Sequence, residues 1–343
     1  MKLHSVASAF PSYAYTQEES LEAMRGAPFW TELSGRSRLV LEKVLSGNSG
    51  IEKRHFCVDA LEDAWSRDAQ GLNEAYEREA PKLAAEAVRK AVAKSGHKPG
   101  EIDALFLCSC TGFLCPGVSS YVAAELGLRE DVFLQDMTGL GCGAAVPLLR
   151  AAKGVLSDNP DAAVVTVAVE VCSAAFYVED DFGVLISTCI FGDGAAAAVW
   201  TGESDGWQLG HFQSLHLPEH REKIRFTNAA GKLRNQLDKT VPELAGNAVA
   251  RLYAQRTIET PDAWVTHGGG RDVLEQLDSV LPNVEYARSV MRDYGNLSSP
   301  SVLVGLERFI ESRSSETSAW ICAFGAGFSA HSCELEYVGN CGE

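Results

Sequence analysis

The chain has 343 residues, of which 46% are hydrophobic and 22% charged, and it carries a formal net charge of -16 at pH 7. This size and composition predict a globular protein of two ordinary domains or one large duplicated domain. The negative charge argues against a protein that binds nucleic acid or an anionic membrane, because both partners need a basic face. No apolar run approaches the roughly 20 residues needed to span a bilayer, so we expect no membrane span.

The N-terminus is too short and too weakly patterned for a signal peptide and favours a first strand, which predicts a cytoplasmic enzyme. The ten cysteines include no CxxC pair, so we expect reduced thiols rather than disulfides or a zinc site. The eight histidines contain no HExxH motif, and no metal site is predicted. We interpret His211, His216 and His220 as solvated loop residues.

Apolar periodicity predicts the elements of the first half in order. Surface helices are expected over residues 16–45, an amphipathic helix from residue 81 to 96, a buried strand over 102–108 and a helix near 118–126. A strand over 162–169 follows later. Alternating helices and strands of this kind predict a layered α/β fold.

Between these elements, residues 134–152 predict a strand, a glycine-punctuated turn and a helix, with Cys142 in the turn. A thiol at a helix N-terminus is favoured as the thiolate, which is the nucleophilic form. The alternative is that Cys142 is simply one of the buried cysteines that proteins commonly contain.

The second half repeats this order in a shorter form. A helix over 243–253 leads to a strand over 263–266, and a helix over 302–311 leads to a strand over 319–323. We therefore predict two copies of one α/β unit, divided into residues 1–203 with the cysteine and 204–343. Functional loops are expected at the carboxyl ends of the strands, where the halves meet.

Two residues of the second half fall in such loops. His267 directly follows a strand and precedes three glycines, which leaves one side of its imidazole accessible; taken singly, a histidine of this kind is more often structural. Asn296 stands just before a helix, where asparagine also serves as a helix cap.

The chain resembles the type III polyketide synthases, the chalcone synthase-like branch of the thiolase superfamily, over nearly its whole length. The motifs that carry the resemblance are Gly141-Cys142-Gly143-Ala144, His267-Gly268-Gly269-Gly270, Tyr294-Gly295-Asn296-Leu297-Ser298-Ser299, Phe191-Gly192-Asp193-Gly194 and Phe324-Gly325-Ala326-Gly327. The resemblance implies a five-layered αβαβα fold, a homodimer, and coenzyme A thioesters as substrates without a metal or redox cofactor.

The resemblance also implies roles for the three candidate residues. Cys142 would take a starter acyl group from coenzyme A as a thioester. His267 would pair with the Cys142 thiolate, and with Asn296 it would donate hydrogen bonds to the malonyl-CoA carbonyl during decarboxylation. The enolate would then attack the Cys142 thioester, and repeated extension would end in cyclisation to a pyrone or resorcinol-type product.

Other positions match family residues that surround this chemistry. Phe191 matches a gate between the coenzyme A tunnel and the reaction cavity, and its aromatic partner is replaced within residues 232–236 by Arg234 or Asn235. Cys115 matches a loop residue near the dimer interface. Two further sets are implied: coenzyme A contacts at Lys53, Arg54 and Gly269, and cavity-lining positions at Cys110, Thr111, Cys172, Ala175 and Ser187.

The small cavity residues slightly favour long fatty acyl-CoA starters over the use of malonyl-CoA alone, as in a tetrahydroxynaphthalene synthase. A β-ketoacyl-ACP synthase III shares the fold and the triad types, but the glycines after His267 and the acidic balance count against it. The alternative without catalysis is an inactive thiolase-fold protein that binds acyl-CoA. We interpret the thiols other than Cys142 as packing residues and not as second nucleophiles.

Overall fold

The computed structural model describes residues 1–58, 60–312 and 315–339. The strands in this part of the chain are β1 (Lys2–Ala9), β2 (Ala14–Thr16), β3 (Lys53–His55), β4 (Ala104–Cys108), β5 (Phe133–Met137), β6 (Val164–Glu170), β7 (Gly194–Thr201), β8 (Gly206–His216), β9 (Ile224–Ala229), β10 (Lys232–Leu237), β11 (Ala263–Thr266), β12 (Ser318–Gly325) and β13 (Ser329–Val338).

The helices of the same ranges surround these strands. They are α1 (Gln17–Gly26), α2 (Phe29–Glu32), α3 (Gly35–Lys43), α4 (Ala69–Ser95), α5 (Val118–Leu126), α6 (Ala145–Asp158), α7 (Phe182–Ile190), α8 (Val241–Tyr253), α9 (Arg271–Asp278), α10 (Glu285–Tyr294) and α11 (Pro300–Ser312).

Nine strands form one sheet in the order β11-β12-β13-β8-β1-β7-β6-β4-β5. In the first half, β1 is antiparallel to β7, β7 is antiparallel to β6, and β6 is parallel to β4. In the second half, β8 is antiparallel to β13, β13 is antiparallel to β12, and β12 is parallel to β11. The two halves therefore repeat one pattern of pairing, and they join where Lys2 of β1 pairs with Gln208 of β8.

The predicted division between residues 203 and 204 falls in the loop between β7 and β8. It stays a prediction, and residues 340–343, including Cys341, lie outside the described residues together with residues 59, 313 and 314.

Apolar cores lie between five layers of helices and strands. Helix α4 packs outside the first half of the sheet, where Val88 joins a core with Leu105 and Val167. Helices α6 and α11 lie between the halves, in a core that contains residues of both, such as Val164 and Ile321. Helices α8 and α9 cover the outer face of the second half, against Trp320 and its neighbours. The predicted αβαβα layering is confirmed.

Most predicted elements are present, and β11 and α5 have the predicted bounds. Helix α4 begins at Ala69, capped by Asp68, and continues through Pro81, so the predicted start at Pro81 is wrong. The hairpin of β9 and β10 was not predicted. The interpretation of His211 and His216 as loop residues was wrong, because both lie in β8, which pairs with β13 over nearly all its length.

Candidate active site

Cys142 lies in a tight turn between the end of β5 and the start of α6, within a single 3-10 turn over Gly141–Gly143. Gly139 and Gly141 have φ angles of 88° and 55°, in the left-handed region that side chains with a Cβ atom rarely adopt. The predicted strand, glycine turn and helix are thus present, and the turn depends on glycine.

The end of β12 presses directly on this turn. A Cβ atom at Gly325 would lie 2.5 Å from the backbone nitrogen of Gly143 and 3.0 Å from that of Cys142. Backbone cannot yield as a flexible side chain can, so the position admits only glycine. The end of β12, in the second half of the chain, therefore holds the turn of Cys142, in the first half, in place.

His267 follows β11, and its backbone N–H donates to the Cys322 carbonyl at 3.0 Å. The ring packs edge-on against Phe324, with 5.2 Å between ring centroids. Its Nδ1 atom is buried and has no hydrogen-bond partner among the described residues. Burial lowers the pKa of His267 to about 4, so the imidazole is neutral at physiological pH.

Asn296 is fixed by the backbone on both sides of its amide. Its Nδ2 atom donates to the Gly269 carbonyl at 2.7 Å, and its Oδ1 atom accepts from the Ser298 N–H at 2.8 Å. Helix α11 begins only at Pro300, so the side chain closes a local turn and is not the helix cap considered above. The contact to Gly269 ties Asn296 to the loop of His267.

Cys142, His267 and Asn296 line one pocket of about 440 Å³. Phe191 and Gly269 line the same pocket. Three residues that are distant in sequence are thus placed around one space large enough for a substrate arm.

The Cys142 thiol meets a hydroxyl and not an ionic partner. Ser298 Oγ donates to Cys142 Sγ at 3.2 Å. Burial raises the pKa of Cys142 to about 12, although the Ser298 hydroxyl acts in the opposite direction. The expected thiolate paired with a charged imidazole is therefore not the form favoured in the protein without substrate, because burial opposes the charge on both groups.

Glu170 was missed by the sequence analysis. It ends β6, is fully buried, and accepts hydrogen bonds from Thr111 Oγ1 at 2.8 Å and Ser299 Oγ at 2.6 Å. Ser298 Oγ lies 3.3 Å from the same carboxyl group and can donate its one proton either there or to Cys142. A glutamate at the end of an otherwise apolar buried strand was the signal that could have revealed it.

A second, much smaller cavity of about 20 Å³ lies beyond Phe191. Phe191, Phe226 and Asn235 line both cavities, and Phe226 and Asn235 pair across the β9–β10 hairpin. All five predicted cavity positions surround this inner space together with Phe191: Cys110, Thr111, Cys172, Ala175 and Ser187.

Of the two candidates for the missing aromatic gate residue, Asn235 lies at the boundary between the cavities. Its Nδ2 atom donates to Ser187 Oγ at 2.6 Å. Arg234 instead makes ion pairs with Asp181 and Glu179, at 2.9 and 3.2 Å.

The expectation that Arg54 contacts coenzyme A phosphates was wrong. Its side chain is completely buried and donates to Gln17 Oε1 at 2.9 Å and to the Thr188 carbonyl at 2.7 Å. A guanidinium enclosed in this way cannot reach a phosphate at the surface. Lys53 is exposed on β3 but is not among the residues that line the pocket of Cys142, whereas Gly269 is.

Within the described ranges, no group of three or more His, Cys, Asp or Glu side chains is arranged to hold a metal ion. No helix of the described residues is both long and apolar enough to cross a membrane.

Comparison with known proteins places these features in a wider context. Residues 18–249 match the family model of FAE1/Type III polyketide synthase-like protein. The chain is 29% identical to 1,3,6,8-tetrahydroxynaphthalene synthase of Streptomyces griseus, over 94% of this chain and 89% of that protein. It is 28% identical to 3,5-dihydroxyphenylacetyl-CoA synthase of Streptomyces toyocaensis, over 90% and 83% of the two chains.

The fold agrees with a solved structure. The crystal structure of 1,3,6,8-tetrahydroxynaphthalene synthase from Streptomyces coelicolor A3(2) superposes with a TM-score of 0.89 and 26% identity, covering 99% of this chain and 100% of that one.

Proposed function

Because this chain belongs to the FAE1/type III polyketide synthase-like family, it is a polyketide synthase and an acyltransferase, and we propose that Cys142 is the residue it acylates. The observation that carries this proposal is the convergence of Cys142, His267 and Asn296 on one pocket. A thiol at the pocket wall can attack the thioester of an acyl-CoA and hold the acyl group covalently.

Because the Cys142 thiol and the His267 imidazole are both neutral, we propose that the starter is loaded by general base catalysis. As Cys142 Sγ attacks the starter carbonyl, its proton passes to the neutral imidazole of His267, which then returns it to the departing coenzyme A thiolate. Because burial lowers the pKa of His267 to about 4, its ring is neutral at physiological pH and has a lone pair that can accept the proton.

Condensation takes place at the side of the pocket where His267 and Asn296 lie. Decarboxylation of malonyl-CoA releases carbon dioxide and places negative charge on its thioester oxygen, which is stabilised by the Nδ2–H group of Asn296 and by His267 in the tautomer that carries its proton on the pocket side. Asn296 is already oriented by its bond to Gly269. Each fixed donor in a pocket that excludes water lowers the free-energy barrier by about 3 kcal/mol. The enolate carbon then attacks the carbonyl of the Cys142 thioester and expels the Cys142 thiolate, which regains a proton, so that the chain, now two carbons longer, is left on coenzyme A.

The starter is proposed to be a short acyl-CoA, and not the fatty acyl-CoA that the small cavity residues favoured. The inner cavity of about 20 Å³ has room for about one water molecule. Relatives are named for small hydroxylated products, among them phloroglucinol synthase of Pseudomonas fluorescens, which is 25% identical over 96% of this chain. A small pyrone or resorcinol-type product is of the kind for which these relatives are named.

A homodimer that works in the cytoplasm is proposed as the acting form. Strand β5 is at the edge of the large sheet, and apolar side chains near it are exposed, with Phe113 at 78% and Phe133 at 52%. Cys115 is exposed in the same region. Isolated apolar residues are normal at a surface, but a group of them beside a sheet edge suits a partner chain.

The test is to incubate the purified protein with malonyl-CoA and acyl-CoA starters of increasing length, and to identify products by mass spectrometry. Extended pyrones or resorcinols from short starters, absent with Cys142→Ala, are expected. If malonyl groups react only when carried by acyl carrier protein, the β-ketoacyl-ACP synthase alternative holds. If acyl-CoA binds but Cys142 is never acylated, the protein is an inactive binding protein.

A further inference from the structure

Arg54 is a fully buried, charged side chain that the reaction steps above do not use. Burial lowers its pKa to about 10, so the guanidinium is still charged at neutral pH. A buried cation is costly unless hydrogen bonds replace the lost water, and Arg54 makes four of them to neutral acceptors. The acceptors are Gln17 Oε1 at 2.9 Å, Ser20 Oγ at 3.2 Å, and the carbonyl oxygens of Thr188 at 2.7 Å and Phe191 at 3.0 Å.

The two carbonyl acceptors stand at the end of helix α7, and Phe191 is the residue that follows this helix. The last carbonyl groups of a helix have no partner within it, and the helix dipole favours a cation at that end. One nitrogen of Arg54, Nη1, donates to the carbonyl groups of both Thr188 and Phe191. Arg54 therefore fixes the point at which the chain leaves α7 and enters the pocket wall at Phe191.

The backbone of Phe191 also pairs with that of Asn296 in an isolated parallel bridge. The Asn296 N–H donates to the Ile190 carbonyl at 2.8 Å, and the Gly192 N–H donates to the Asn296 carbonyl at 3.0 Å. We call this pairing of residues 190–192 with Asn296 the junction. Because Phe191 and Asn296 both line the pocket of Cys142, the junction ties two parts of the pocket wall to each other.

The methylene stem of Arg54 packs against the second segment of the junction. A Cβ atom at Gly295 would lie 2.8 Å from Arg54 Cγ and 3.0 Å from Arg54 Cδ. Gly295 directly precedes Asn296 and has a φ angle of 73°, which glycine adopts readily. Arg54 thus contacts both segments of the junction, with its guanidinium at the end of α7 and its stem at the residue before Asn296.

We infer that Arg54 is a positioning residue for condensation, which holds the junction so that the Asn296 amide faces the developing enolate. Arg54 is not among the residues that line the pocket, so it acts through Asn296 and Phe191. This inference rests on the role proposed for Asn296. The described hydrogen bonds of Arg54 do not involve Cys142 or His267, so loss of Arg54 should affect condensation more than starter loading.

The first experiment compares the two half-reactions in Arg54→Lys, which keeps the charge and the stem but loses the forked set of donors. Decarboxylation of malonyl-CoA is measured as release of carbon dioxide, and starter loading as acylation of Cys142. Since misplacing a reacting group by about 1 Å can cost about 100-fold, kcat for decarboxylation should fall about 10- to 100-fold. KM for malonyl-CoA and the rate of loading should change little. Arg54→Met, which has a similar stem and no donor, should lose more decarboxylation than Arg54→Lys.

Met24→Ala is the matched control for a general loss of stability. Met24 is fully buried in the same core as Phe56, whose ring centroid lies 4.8 Å from the Arg54 guanidinium carbon. The cavity left by Met24→Ala should lower the unfolding temperature and leave the ratio of the two rates unchanged. Equal losses of loading and decarboxylation in Arg54→Lys, or no loss of either, would overturn the inference.

Hydrogen exchange of backbone amides tests the junction without a substrate. In Arg54→Lys, or in the milder Ser20→Ala if the first variant does not fold, peptides with the Gly192 and Asn296 N–H groups should exchange several-fold faster. Peptides of β11 should keep the wild-type rate. If the junction exchanges faster but the wild type does not decarboxylate malonyl-CoA, only the proposed function is contradicted. Unchanged exchange at the junction, or an equal increase in β11, would contradict the role of Arg54.

Discussion

The two sides of Cys142 differ in how their polar groups are used. On the open side, His267 and Asn296 face a pocket of about 440 Å³, and Nδ1 of His267 has no hydrogen-bond partner among the described residues. On the closed side, Glu170, Ser298 and Thr111 are joined by hydrogen bonds beside a cavity of about 20 Å³.

This difference indicates that groups on the open side carry out the chemistry and groups on the closed side position the thiol. The ring of His267 and the amide of Asn296 lie in the wall of a large pocket, so both groups can meet a ligand. A fully bonded network is rigid and suits a supporting role. We therefore expect changes on the open side to reduce catalysis, and changes on the closed side to alter the reactivity of the thiol.

The largest effect is expected for His267→Gln. Loss of the ring that donates to the developing enolate should slow malonyl-CoA decarboxylation about 100- to 1000-fold, measured as release of carbon dioxide. His331→Gln is the matched control, because burial also lowers the pKa of His331 to about 4 but this residue is not among those lining the pocket. Similar losses in the two variants would remove the distinction between the open side and the rest of the core.

Gly325→Ala tests whether the open and the closed side of Cys142 both depend on the position of the turn that carries this residue. The new methyl group would meet the Gly143 nitrogen at 2.5 Å, so the turn must move. Misplacing a nucleophile by about 1 Å can cost about 100-fold in rate, and overpacking costs about 1–3 kcal/mol of stability.

The control is Gly154→Ala, an exposed helical position with nothing within 4 Å of the added methyl group. It should raise the free energy of unfolding by about 0.5–1 kcal/mol and leave product formation unchanged. Full activity in Gly325→Ala would show that the turn does not need this support.

The thiol itself should respond to pH. Because burial raises the pKa of Cys142, the thiolate fraction grows about tenfold per pH unit below that pKa, and alkylation by iodoacetamide should accelerate from pH 7 to 9. A rate that is constant over this range would mean that the cysteine is already ionised at pH 7.

Ser298→Ala should slow this alkylation several-fold at fixed pH. The Ser298 hydroxyl lowers the pKa of Cys142, so its removal raises that pKa and reduces the thiolate. Ser299→Ala is the control, since the Ser299 hydroxyl donates to Glu170. If both variants slow alkylation equally, the contact between Ser298 and Cys142 has no special role.

The smallest effect is expected at the boundary between the cavities. Asn235→Ala removes the hydrogen bond to Ser187 and one side of the partition, so starters longer by one or two methylenes should gain up to about tenfold in kcat/KM. Gln236→Ala, at the next and exposed position of β10, should not change the preference. An unchanged preference in Asn235→Ala would mean that this residue does not limit the starter.

The sequence predicted what depends on local pattern and chain order. Strand β11, helix α5 and the glycine turn of Cys142 follow from apolar periodicity and glycine spacing. Local pattern could not show that Arg54 is enclosed by Gln17 and the end of α7, because that contact joins distant residues.

The same limit explains the other differences. Glu170 owes its surroundings to Thr111 and Ser299, which approach it only in the folded chain. The ionisation of Cys142 and His267 depends on burial, and a sequence gives the residue types but not their exposure to solvent. The small inner cavity likewise reflects how side chains of α7, β9 and β10 meet, which their sizes alone did not indicate.

The most direct test of the central claim is peptide mapping by mass spectrometry after incubation with a short acyl-CoA and no malonyl-CoA. The acyl group should be found on the peptide that contains Cys142, and it should disappear from that peptide when malonyl-CoA is added. An acyl group found instead on Cys110 or Cys172, or one that malonyl-CoA does not remove, would contradict the assignment of Cys142 as the acylated residue.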